Sequence, residues 1–102
     1  MIPVERVQKA GRRIDGLITH TPITYDQNLE LYYKWENQQI TGSFKIRGAL
    51  NKVLSLTPEN RANGLVTCSA GNHGQGVALA ARQTEAKCVV FAPDHAAPVK
   101  LE

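Results

Sequence analysis

Residues 65–92 constrain the fold more than any other part of the chain. They run from a β-rich apolar stretch, "LVTCSA", through the glycine turn "GNHGQG" and the helical stretch "VALAARQ" to a second apolar run, "KCVVFAP". Two short strands separated by a helix are joined by a crossover. They therefore pair in parallel, with the right-handed connection that sheet twist imposes. This βαβ unit excludes all-α and all-β folds and places the chain in the α/β class. Parallel sheets are covered by helices on both faces, and two strands alone do not make a complete one. The expected fold is an incomplete three-layer parallel-sheet domain. The helix after the glycine turn is apolar almost all round and is expected to be buried. Cys68 and Cys88 each lie within an apolar run and lack CxxC spacing, which predicts two buried, reduced thiols.

Upstream, Val4, Val7, Ala10 or Gly11, and Ile14 recur at helical spacing and predict a helix over 3–16. "THTPITY" reads as a short extended segment, "LYYKWE" (31–36) as a strand and "NQQITG" as a polar loop. From Ile46 the apolar residues fall at Ile46, Ala49, Leu50, Val53 and Leu54, the stripe of a helix lying on a core, with Ser43 as its expected N-cap. "TPENRANG" reads as punctuation. At the end, Asp94 as a cap and Pro98 in a first turn predict a new helix, yet the sequence stops four residues later. The expectation is a chain truncated at its C-terminus, with a genuine N-terminus at Met1. Residues 1–40 form an N-terminal helix and short strands, and 41–102 begin an α/β domain.

A net charge of +3 spread without a Lys/Arg block argues against nucleic acid or a membrane surface as partner. No apolar run reaches the ~18 residues of a membrane span and no secretory leader is visible, so the cytoplasm is the expected compartment. His20, His73, His95 and the cysteines lack ligand spacing, and no metal site is expected.

Two segments carry chemistry. A glycine turn opening a helix presents free N–H groups, aided by the helix dipole, to an anion. It serves equally well for tight turning and close packing, and "GNHGQG" matches neither GxGxxG nor GxxxxGK[ST]. Asn72 adds a two-way hydrogen-bonding amide. In "TGSFKIRGA", Lys45 lies in the first turn of a helix between Phe44 and Ile46. One reading lays its stem on the core with the ammonium in water. The other makes it a nucleophilic amine. An amine with pKa ~10.4 is almost wholly protonated at neutral pH, and burial lowering it by ~3 units frees roughly 30%. A dry setting beside Phe44 and Ile46 is the condition for that role.

Taken together, "KWENQQITGSFKIRGA" and "SAGNHGQGVA", with the flanking "THTPI" and "VVFAPDHAAPVKLE", resemble the fold type II pyridoxal-phosphate enzymes related to threonine dehydratase, serine racemase and the tryptophan synthase β-chain. The resemblance implies the start of the smaller α/β domain of such an enzyme. Its larger domain and second, phosphate-gripping glycine loop would lie beyond Glu102. It implies pyridoxal 5'-phosphate as cofactor, Lys45 as the Schiff-base and catalytic lysine, Phe44 beside the ring and Asn72 on the cofactor's phenolic oxygen. Ser69, Gly71, Asn72 and His73 would receive the substrate carboxylate. Racemases of this family carry a serine where this chain has Ala70, and a methyl group exchanges no proton. The implied reaction is therefore one-sided dehydration of L-threonine or L-serine to a 2-oxo acid and ammonia, by a full-length homo-oligomer. The alternatives are a serine racemase-like or other pyridoxal-phosphate amino-acid lyase, or a non-catalytic remnant. These 102 residues alone are expected to be inactive.

Overall fold

The computed structural model describes residues 1–94 and Ala96. Helix α1 (Val4–Ile14) leads to a hairpin of β1 (Ile23–Asp26) and β2 (Leu31–Lys34), and a 3-10 turn (Glu36–Gln38) follows. Next come α2 (Lys45–Leu54), the short α3 (Pro58–Ala62), β3 (Leu65–Cys68), α4 (Asn72–Gln83) and β4 (Cys88–Phe91). The βαβ unit is present as the sequence predicts, with β3 and β4 parallel in a register running from Leu65 opposite Cys88 to Cys68 opposite Phe91. The helix expected after Pro98 lies outside the described residues, as does His95.

The apolar stripe of α2 makes the core. Ile46 and Leu50 are fully buried, and Ala49 and Val53 nearly so. They pack with Val77 and Ala80 of α4 and with Ile14 of α1. The removal of this apolar surface from water is the main favourable term in the fold. Helix α1 contributes only its C-terminal end, for Val4 and Val7 remain exposed.

Several expectations need correction. Helix α4 buries Gly74, Gly76, Val77, Ala80 and Ala81, whereas Asn72, His73 and Ala78 are exposed. It packs by one face. The β3–β4 sheet is likewise covered on one side among the described residues: Leu65 and Thr67 are half-buried, while Val66 and Cys68, which alternate with them, are exposed. Cys68 is thus an exposed free thiol and Cys88 a half-buried one, because side chains alternate across a strand and, among the described residues, one face alone has a helix against it. Burial pushes the Cys88 thiol pKa up. Thr57 and Pro58 do more than punctuate. The Thr57 hydroxyl accepts the Asn60 N–H at 3.3 Å and Pro58 occupies the first turn, which starts α3. The strand expected over 31–36 stops at Lys34, where the 3-10 turn takes over. It pairs antiparallel with β1, Tyr25 opposite Tyr32.

Candidate active site

The two chemistry-bearing segments meet because α4 approaches α2 without a side chain between them. A Cβ built on Gly76 would lie 3.2 Å from the Ile46 nitrogen and 3.2 Å from the Lys45 carbonyl carbon. Those are main-chain atoms at the start of a helix and cannot easily yield. Glycine at this position sets the base of Lys45 beside the second turn of α4. On the other side of α4, a Cβ on Gly74 would lie 3.1 Å from Val90 Cγ1 and 3.2 Å from Ser69 Cβ, so this helix also seats closely on the β3–β4 side.

Lys45 is the first residue of α2. Its main-chain N–H donates to the Ser43 hydroxyl at 3.4 Å, but the N-cap is Phe44, one residue later than expected, and its side chain makes no capping bond. Phe44 is exposed and the Lys45 ammonium lies 5.0 Å from its ring centroid. That is within cation–π range. Lys45 is exposed as well, so Phe44 and Ile46 do not supply the dry setting by themselves.

Ser69, Gly71, Asn72 and His73 occupy the β3–α4 connection. The Ser69 hydroxyl accepts the Gly71 N–H at 3.1 Å and holds the turn. Asn72 opens α4, and the first-turn N–H groups of a helix have no acceptor within it. The residues of this loop face different ways. Ser69 and Gly71 line a cleft of about 580 Å³ with Ile40, Thr41, Gln75 and Arg82. His73 borders a separate hollow of about 310 Å³ with Gly48, Lys52 and Val77.

Sequence reasoning missed the residues that hold the approach to Lys45. Arg47 forks onto Glu36, with Nε to Oε2 and Nη2 to Oε1 both at 2.8 Å. The Thr21 hydroxyl donates to Glu36 Oε1 at 2.5 Å, and Lys34 Nζ donates to the Thr21 carbonyl at 2.6 Å. The Arg47 bond, with help from Thr21 and Lys34, holds the Glu36 carboxyl down at a pKa of about 2 against partial burial, and the pairing raises that of Arg47. Gln39, 4% exposed, accepts the Thr19 N–H at 2.9 Å and donates to the Thr19 carbonyl at 2.8 Å. A basic residue two places after the lysine is a signal of this pairing, but its partner lies eleven residues back across a polar loop.

Residues 14–102 match the family described as pyridoxal-phosphate dependent enzyme. The chain belongs to this family. It is 41% identical to serine racemase from Dictyostelium discoideum over 98% of its length, covering 33% of that protein. It is 42% identical to L-threonine ammonia-lyase from Thermotoga maritima over 99% of its length, covering 27% of that protein. It superposes on maize serine racemase with a TM-score of 0.91 at 33% identity, covering 96% of this chain and 32% of that one. The chain thus spans about a third of the length of such relatives. Its α/β architecture with a parallel β3–β4 pair is the one shared with these enzymes.

The donor set suits the family's cofactor, an anionic aromatic aldehyde. An exposed primary amine and an exposed aromatic ring open α2, an exposed amide at Asn72 and free helix N–H groups open α4, and Gly76 seats the start of α2 against the second turn of α4. Among the described residues no helix is long and apolar enough to cross a membrane.

Proposed function

We propose that the chain supplies the N-terminal part of a threonine/serine dehydratase, with residues 41–102 opening its smaller α/β domain. The observation that supports this reading is the close approach of Gly76 to the Lys45 main chain, which seats the start of α2 against the second turn of α4. Bound pyridoxal phosphate supplies an electron sink for the carbon next to the substrate amine. Lys45 would hold the cofactor through its ε-amine and move the substrate α-proton. Phe44 would lie beside the cofactor ring, and the Asn72 amide would hydrogen-bond the phenolic oxygen. The first-turn N–H groups of Asn72 and His73 would receive the substrate carboxylate, beside the Ser69–Gly71 turn, whose Ser69 and Gly71 N–H groups go to the Phe91 carbonyl and the Ser69 hydroxyl. With the α-proton removed, the β-hydroxyl would leave as water, and hydrolysis of the released enamine by one water would give a 2-oxo acid and ammonia from L-threonine or L-serine. Ala70 favours this one-sided reaction over racemisation, since its methyl group has no proton to exchange. Covering by the rest of a longer, cytoplasmic homo-oligomer would supply the dryness that the exposed Lys45 lacks here.

The test is borohydride reduction of the longer protein with pyridoxal phosphate, followed by peptide mass mapping and product analysis. Label at Lys45, with 2-oxo acid and ammonia formed from L-threonine or L-serine, is the expected outcome. Label confined to other lysines overturns the site. Conversion of L-serine to D-serine as the main product overturns the dehydratase reading in favour of a racemase. The exposed Val66 and Phe91 suit a non-catalytic remnant docked on another protein, and absence of any covalent label supports that second reading.

A further inference from the structure

The side chain of Lys45 is exposed, and its ammonium has the neighbouring Phe44 ring as its close companion. A long, flexible amine of this kind is aimed only as well as its base is held. The base is held from both directions. Six residues before it, the buried Gln39 side-chain amide takes both main-chain groups of Thr19, and the Gln39 main-chain carbonyl accepts the Gly42 N–H at 2.7 Å. Gly42 has φ +66, a left-handed conformation that favours glycine, so the chain turns sharply into "SFK". Two residues after Lys45, Arg47 is forked onto Glu36, which also takes the Thr21 hydroxyl. Both anchors converge on the three residues Thr19–Thr21.

The chemistry of the second anchor points beyond packing. Arg47 lies in the first turn of α2, where the helix dipole disfavours a cation, and no acidic residue occupies that turn. A partly buried ion pair is weak support for stability compared with an apolar pair of similar size. What a bidentate fork fixes well is direction.

We propose that Glu36, Arg47 and Thr21 are positioning residues that set the direction in which Lys45 leaves α2, so that its amine meets the cofactor aldehyde. The proposal rests on Lys45 being the attachment point in the reading above.

The test uses the longer protein that carries this chain, treated with pyridoxal 5'-phosphate and cyanoborohydride, with labelling rates at Lys45 and Lys52 resolved by peptide mass mapping. Both lysines are exposed on α2, so Lys52 reports general reactivity. In the parent protein Lys45 is expected to be labelled faster than Lys52. Glu36→Gln keeps the size and removes the charge, and is expected to cut the Lys45-to-Lys52 ratio about fivefold, as for a misaimed reacting group. Arg13→Gln is the control. It breaks the 2.6 Å bond from Arg13 to Asn51, which also ties α2 to a distant element but lies away from Lys45. It is expected to lower the melting temperature and leave the ratio unchanged. If Glu36→Gln does not fold, Thr21→Val, which removes a single hydrogen bond to the carboxylate, is read in the same way.

A ratio unchanged by Glu36→Gln, or lowered equally by Arg13→Gln, overturns the positioning role while leaving the attachment site standing. A parent chain with no preference for Lys45 overturns the attachment site and the positioning role together.

Discussion

The α2–α4 contact and the β1–β2 hairpin are held by different physics. In the first, Ile46, Leu50 and Ala80 are sealed from solvent, and glycines let main chain approach main chain. In the second, every strand residue except Asp26 is exposed. The hairpin relies on its ladder, on the paired rings of Tyr25 and Tyr32 at 4.8 Å and of Tyr33 and Trp35 at 5.8 Å, and on its two ends. At the tip, the Asp26 carboxylate accepts the Asn28 and Leu29 N–H groups, and Glu30 takes a left-handed φ of 51. At the base stand Thr21, Lys34, Glu36 and Arg47. An isolated two-stranded hairpin is marginal in water, so the base carries weight that burial carries elsewhere. The region that would hold the cofactor lysine sits between the two regimes. Its helix stands on the apolar core, and its leading loop hangs from polar anchors.

The sharpest way to break this comparison is to open the core. Leu50→Ala removes a fully buried side chain from the α2–α4 contact and is expected to cost about 3 kcal/mol in urea unfolding, from lost transfer energy and the cavity left behind. A loss under about 1 kcal/mol would mean that the core as described is not what holds the two helices together.

The βαβ unit and the stripe of α2 were legible in the sequence because each is a local pattern, a period of 3.6 or a short apolar run around glycines. The hairpin pairing was not. Its four-residue turn, Gln27 to Glu30, carries none of the Asn-Gly or Asp-Gly signals of tight hairpins, and both faces of its strands are solvated, so alternation says little. The exposure of Cys68 was unreadable for a related reason: a strand sequence shows which residues are apolar but not which face receives a helix. Within the candidate site, Lys45 and the glycine loop were visible as motifs. The supports were not, since Glu36 and Arg47 meet across a loop and Gln39 reads as one more polar residue in "NQQITG".

The base of the hairpin yields the next effect, and its sign follows from the carboxyl. The Glu36 pKa lies at about 2 in the folded chain, below the 4.5 of an unperturbed glutamate. The folded state therefore holds the ionised form more tightly than the unfolded state does. Its contribution is complete above about pH 4.5 and fades as the pH falls towards 2. For this partly exposed pair we expect about 2 kcal/mol at neutral pH. Parent and Glu36→Gln chains compared by chemical unfolding should differ by that amount at pH 7 and converge near pH 2. A gap that stays constant across this range would show that Glu36 acts through shape and not through charge.

The smallest effect tests the exposed blade itself. Tyr32 is 75% exposed and meets Tyr25 ring to ring at a 42° tilt. Tyr32→Ala removes one cross-strand aromatic contact and almost no buried surface. The expected loss is about 0.5 kcal/mol, measured by the same unfolding assay. A loss of that size keeps the two regions apart, with burial governing α2 and α4 and local pairing governing the hairpin. A loss approaching that of Leu50→Ala would mean that the tyrosine face is buried in solution against a second surface. The hairpin would then belong to the same regime as the core, completed by contact with another molecule.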